Sequence, residues 1–198
     1  MKYIFYLTGK SASGKDSIYK KLLEEKKLGL YPVLLCTTRP KREGEEEGRE
    51  YHFVDEDYYS SAEKNGEVIE CRTYDTIHGP WRYFTLTSSV DEGNDYYLGI
   101  GTLESCIKLS RYFGKDRVVP IYISVEDGER LKRAIGREQN SGKPDYKEMC
   151  RRFLADTEDF SDEKLKSAGI TSENIFENTE LSVCIENIRR TISGYQGK

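Results

Sequence analysis

The fold is decided by one stretch, Tyr3-Ile-Phe-Tyr-Leu-Thr-Gly9-Lys-Ser-Ala-Ser-Gly-Lys15-Asp-Ser17. Residues 3–8 are an unbroken apolar and aromatic run, the pattern of a central parallel strand covered on both faces. Gly9 to Lys15 fits G-x-x-x-x-G-K. From Lys15 to Lys27 the chain reads as a helix, with Ile18, Leu22 and Leu23 on one side. Consecutive backbone N–H groups can wrap a phosphate only where glycines allow close approach and unusual dihedrals. The helix that follows adds its dipole and free N–H groups, and Lys15 offers a point charge. The G-x-x-x-x-G-K pattern arises by chance in a chain of this composition with a probability of roughly one in eight. Its setting, between an apolar strand and a helix, gives it meaning. Gly9, Lys10, Ser11, Ala12, Ser13, Gly14, Lys15, Asp16 and Ser17 are therefore the expected nucleotide-phosphate loop. The position after the lysine normally carries a hydroxyl for Mg²⁺. Here it is Asp16, followed by Ser17, so either Asp16 reaches the ion through water or Ser17 supplies the hydroxyl.

Outward from this loop, strand and helix patterns alternate. Tyr31–Thr38 and Tyr51–Val54 read as strands. Asp55 is a plausible N-cap for a helix to about Lys64, and Asn65-Gly66 is a turn leading to a strand at Val68–Arg72. Further strands are expected at Asp95–Ile100, Val118–Ser124 and Asn174–Phe176. Helices are expected around Leu103, Ile107 and Leu109, from a Ser124–Asp127 capping box to about Arg137, from Pro144 to about Phe160, and over Leu181–Ile192. Alternation of this kind means an α/β fold with a mostly parallel central sheet flanked by helices. The 39–90 block fits it least well and reads as an insertion with short strands of its own.

Composition sets the outer bounds. The chain has 198 residues, one domain's worth, with 31 Lys+Arg against 35 Asp+Glu and a net charge of −4. That sign excludes a generally basic nucleic-acid binder, and no apolar run approaches the roughly 18 residues of a membrane span. No nucleic-acid or membrane partner is expected. Five dispersed cysteines, without a C-x-x-C pair, argue for free thiols in a reducing compartment, and the first strand is too short for a signal peptide's apolar core. The expected location is the cytoplasm. His52 and His78 have no metal-ligand spacing, and Trp81 beside Pro80 reads as structural.

Positive charge is concentrated locally. Residues 130–152 hold eight basic residues against three acids, and phosphoryl transfer needs cations on a segment that closes over the phosphates. A second cluster, Arg39 and Arg42 with Tyr51 beyond, suits bidentate capture of a monophosphate.

Thr37-Thr-Arg-Pro-Lys-Arg42, Gly44-Glu45, Gly48-Arg-Glu-Tyr51-His-Phe-Val54 and Asn65-Gly-Glu-Val-Ile-Glu70 resemble the acceptor-binding region of guanylate kinases. The order and spacing relative to the phosphate loop also match, from the first strand to the helix near 160. The resemblance implies a P-loop nucleoside-monophosphate kinase that moves a phosphoryl group from ATP, with Mg²⁺, to GMP. It implies a core of residues 1–32, 90–130 and 155–198, an acceptor-binding insertion at about 33–89, and a lid at about 131–154. Arg39, Arg42 and Tyr51 fall where the family grips the GMP phosphate, and Glu70 where a carboxylate accepts from guanine N1–H and the exocyclic amine. Tyr83 and Thr85 sit near a further phosphate-contacting tyrosine and a base-contacting serine, with Phe84 replacing the glycine between them. Arg133, Arg137 and Arg152 match the lid positions and, with Lys15, would carry catalysis. Asn178 lies near the family's adenine contact.

Besides Asp16 and Phe84, three further positions depart from the family. Leu35 replaces a serine that contacts guanine O6, and Gly99 and Gly101 replace the acids of an L-D-I-D strand. Two other readings share these features. A ribose 1,5-bisphosphate phosphokinase has a G-K-D-S loop like Gly14–Ser17, and a silent guanylate-kinase-like module would bind without turnover.

Overall fold

The computed structural model describes residues 1–76, 79–91 and 93–197; His78 lies outside them. In chain order the elements are β1 (Tyr3–Thr8), α1 (Lys15–Glu24), β2 (Leu30–Pro32), β3 (Cys36–Thr37), β4 (His52–Phe53), α2 (Glu56–Lys64), β5 (Val68–Thr76), β6 (Gly79–Leu86), β7 (Tyr96–Ile100), α3 (Leu103–Phe113), β8 (Val118–Ser124), α4 (Asp127–Gln139), α5 (Tyr146–Asp159), α6 (Asp162–Ser167), β9 (Ile175–Glu177) and α7 (Leu181–Gln196). Two sheets form. The first is five-stranded, in the order β2-β7-β1-β8-β9, and every pairing in it is parallel. The second has the order β4-β3-β6-β5, with antiparallel β3/β6 and β5/β6 pairs.

The apolar run of β1 is explained by its central place. Phe5 and Leu7 point to one face, packed with Ile18 and Leu22 of α1 and Ile188 and Ile192 of α7. Ile4 and Tyr6 point to the other, against Cys106 and Leu109 of α3. Because side chains alternate with period two, a strand buried on both faces must be apolar at every position.

The structure corrects several sequence expectations. Tyr31–Thr38 is not one strand: β2 pairs with β7 in the first sheet, and β3 pairs with β4 and β6 in the second. The chain changes sheets between them, and a hydrophobicity pattern does not reveal which edge a segment pairs with. β6 had no sequence counterpart, because Pro80, Trp81 and Arg82 break its alternation. The helix expected to reach Lys27 ends at Glu24 and is followed by a 3₁₀ turn over 26–28. Ser124 caps nothing; it ends β8, and α4 is capped by Glu126, which accepts from Glu129 N at 2.9 Å. Pro144 stands before the N-cap of α5, where Asp145 accepts from Glu148 N at 2.9 Å. Cys36, Cys106 and Cys184 are buried free thiols, as expected, whereas Cys150 is exposed on α5.

Candidate active site

The loop between β1 and α1 is held in shape from three sides. Gly9 lies against β8, where an added Cβ would stand 2.7 Å from the Ile123 carbonyl oxygen. Gly14 has φ 87° and faces Asn178, whose Nδ2 would lie 2.5 Å from an added Cβ. Both positions therefore require glycine. Ala12, at φ 61°, takes the left-handed region at a cost that the surrounding contacts must offset. Asn178 Nδ2 donates to Ser13 O at 2.8 Å, and Asn178 N donates to Ser124 O at 2.8 Å. The Asn178 amide is thus committed to bracing the loop.

The third support comes from residues whose role the sequence did not reveal. Arg130 is only 1% exposed. Its Nε donates to Ser11 O at 2.9 Å, one Nη to Asp127 at 2.5 Å, and the other to Asp156 Oδ2 at 2.6 Å. Asp156 Oδ2 also accepts from Ser11 N at 2.8 Å, and Asp127 accepts from Lys10 Nζ at 3.3 Å. The guanidinium lies over the Phe153 ring, 4.7 Å from its centroid. One arginine and two carboxylates thus tie the loop main chain to α4 and α5. In the sequence Arg130 was one of eight charges, and nothing marked Asp156.

Lys15 opens α1, with Nζ 4.0 Å from Asp16 Oδ2. The Asp16 side chain is 81% exposed. Ser17 is also exposed, and as the next residue of the helix it points elsewhere. Among the described residues no cluster of three or more His, Cys, Asp or Glu forms a metal cage.

The lid residues meet the loop. Arg137 and Arg152 line a cavity of 220 Å³ together with Ser11, Met149 and Phe153. Arg152 Nε donates to Glu148 at 2.8 Å, and paired with Arg151 and Arg152 the Glu148 carboxyl is held down to about 2. Arg133 bridges Glu129 and the Asn178 carbonyl, at 3.0 and 3.1 Å.

On the second sheet, ladder register puts Glu70 opposite Thr85 and Arg72 opposite Tyr83. Two-residue periodicity therefore gathers all four on one face. Phe84 points the other way into a separate core with Tyr59, so replacing a glycine there leaves the polar face intact. Glu70 is 3% exposed; its two oxygens accept from Thr85 Oγ1 at 2.9 Å and Ser105 Oγ at 3.0 Å. Ser105 sits in the first turn of α3, where the Thr102 cap fixes the backbone.

The arginine pair divides. Arg39 is buried, with its fork on Glu45 at 2.6 and 2.8 Å, its Nε on Tyr83 Oη at 3.1 Å, and its guanidinium over the Tyr51 ring. The Arg39 hydrogen bonds hold the Glu45 carboxyl down at about 2. Arg42 is exposed, and its backbone N donates to Glu45 Oε2 at 2.8 Å. Burial raises the Tyr51 phenol above its ordinary value.

The two glycines of β7 have a physical explanation. An added Cβ on Gly99 would lie 2.5 Å from Tyr6 Cδ2, and one on Gly101 would meet the Tyr6 hydroxyl. The Tyr6 ring fills the volume that side chains at 99 and 101 would need.

Comparison with known proteins places this geometry. The guanylate kinase family model matches residues 2–163. The chain is 37% identical over 98 residues to a guanylate kinase of Thermotoga maritima, covering 49% of this chain and 46% of that one. It is 32% identical over 133 residues to one of Anaplasma phagocytophilum, covering 67% and 62%. A Porphyromonas gingivalis guanylate kinase aligns over 100% of both chains at 24% identity. The matched segments thus span about half to two thirds of the first two relatives. A crystal structure of the Anaplasma phagocytophilum enzyme superposes on 99% of this chain and 87% of its own, with TM-score 0.69 at 21% identity. Its fold is the same. With the family model spanning residues 2–163, from β1 through the second sheet to α5, this chain belongs to the guanylate kinase family.

Proposed function

We propose that the protein transfers the γ-phosphoryl group of ATP to the phosphate of GMP, giving ADP and GDP. The observation that carries this reading is the preformed loop. Its main chain is braced by Asn178 and Arg130, and lid arginines Arg137 and Arg152 share a cavity with its Ser11. Backbone N–H groups of Ala12, Gly14 and Lys15 would cradle the donor phosphates, Ser11 N being held by Asp156, and Lys15 would follow the transferring group. Arg133, Arg137 and Arg152 would stabilise the equatorial oxygens in the transition state.

The acceptor phosphate would take over the Arg39 fork from Glu45, since a phosphate presents two oxygens to a guanidinium as a carboxylate does. Arg42, Tyr51 and Tyr83 would complete the grip. Glu70, steadied by Thr85, would accept from guanine N1–H and the 2-amino group. The acceptor oxygen is already ionised, so no general base is required. Asp16 through water, or Ser17 through its hydroxyl, would hold Mg²⁺, which when bound would supply charge neutralisation to the donor phosphates.

The test is a coupled ADP-release assay across GMP, dGMP, AMP, UMP and ribose 1,5-bisphosphate. Turnover is expected with GMP and dGMP. Turnover with ribose 1,5-bisphosphate alone would make it a bisphosphate kinase, and GMP binding without turnover would make it a silent module.

A further inference from the structure

Arg72 is absent from every role given above, yet it stands on the acceptor face beside Glu70. Its side chain is 15% exposed, and Nε is buried with no hydrogen-bond partner among the described residues. Glu70 Oε2, at 3.5 Å from that Nε, is paired with it by charge alone. The guanidinium also lies within electrostatic reach of Tyr6, Tyr51 and Tyr74. A guanidinium carries five N–H donors in a rigid fork, and leaving even one desolvated and unmet, as Nε is here, costs free energy. Acceptors from outside the chain would meet them.

What those acceptors belong to follows from the surroundings. The acceptor phosphate already has Arg39 and Arg42. The base side has Glu70, an acceptor, and Leu35, a buried residue with nothing to donate. A guanine edge presents N1–H beside O6, and N7 beyond it. It therefore needs an acceptor and a donor side by side, and the 3.5 Å between Glu70 Oε2 and Arg72 Nε is the separation of such neighbouring partners. An arginine fork fits O6 and N7, whereas adenine offers an amino donor at position 6 and leaves the fork opposed.

We propose that Arg72 is a specificity-determining residue of the acceptor site, donating to the O6/N7 edge of a 6-oxopurine in place of the hydroxyl that Leu35 lacks. The inference rests on the reading of the second sheet as the GMP site.

Calorimetric titration of the full chain with GMP and with 6-thio-GMP tests it. The thio analogue keeps N1–H and the 2-amino group but puts a weakly accepting sulfur at position 6. The wild-type chain is expected to bind GMP about ten- to a hundredfold more tightly than the analogue. Arg72→Gln is expected to bring the two affinities together, and Arg72→Lys, which keeps a charge but not the fork, to restore part of the difference. ATP-analogue binding by each variant reports that the fold is intact. A loss shared equally by the two nucleotides would mean that Arg72 holds the phosphate or the sheet, and would overturn the proposal. So would an undiminished preference for GMP in Arg72→Gln. Because the readout is binding, a chain that binds GMP without releasing ADP would defeat the catalytic reading and leave this test standing.

Discussion

At the scale of single residues, charge in this site is held by specific partners. Glu45 is the clearest case. Its folded carboxyl, near 2, lies well below the ordinary carboxylate value, so the Arg39 pair is fully stabilising above about pH 4.5 and is lost as pH falls through 2. Melting temperature against pH should therefore show an acid limb between 4.5 and 2 that is shallower in Glu45→Gln. An unchanged limb would mean that other carboxylates, Glu148 among them, carry all of it. Gly99 is a second case, because only hydrogen fits beneath Tyr6. Gly99→Ala is expected to cost about 1–3 kcal/mol by overpacking. Tyr6→Leu in the same chain should return much of that loss, since contacting residues couple in a double-mutant cycle. Additive losses in urea denaturation would refute the steric account.

Among the elements, α4 and α5 have two jobs. Their outer arginines Arg137 and Arg152 line a cavity with Ser11 and are proposed to serve as the lid, and their inner residues Arg130 and Asp156 anchor the loop between β1 and α1 at Ser11. Removing one partner of a buried pair strands the other. Asp156→Ala should therefore lower stability by about 3–5 kcal/mol, by chemical denaturation, and weaken ATP binding by letting the Ser11 main chain move out of its braced position. If Asp156→Ala bound ATP normally, the anchor would be a packing feature only. Helix positions were legible in the sequence because their apolar spacing repeats over three or four turns. The inner polar pair was not, because a buried arginine and a surface arginine read alike in a basic segment. The strand that became β2 and β3 shows the same limit. Its residues are suited to extended backbone throughout, and only pairing decides that it serves two sheets.

For the molecule as a whole, the joint between the two sheets matters most. α3 packs on the first sheet through Cys106 and Leu109 and reaches the second through Ser105, whose hydroxyl donates to Glu70. A buried carboxylate that loses a donor costs about 1.5–3 kcal/mol. Ser105→Ala should destabilise by that amount in urea and weaken GMP binding while leaving ATP binding unchanged. A drop in both affinities would place Ser105 in the general core instead.

The sequence by itself determined the phosphate loop, the parallel α/β core and the basic segment opposite. Each is a local pattern: a run of apolar residues, a glycine spacing, a charge density. Motifs that resemble a known family singled out Arg39, Tyr51, Glu70, Tyr83 and Thr85, which the structure links as Arg39 with Tyr51 and Tyr83, and Glu70 with Thr85. Only the tertiary structure decided which charges are spent and which are available. Arg39 is committed to Glu45, Asn178 to Ser13, and Arg130 to Asp156, whereas Arg72 Nε has no hydrogen-bond partner among the described residues. The physical reason is that hydrogen-bond partnership and desolvation depend on residues far apart in the chain, brought together by packing across two sheets.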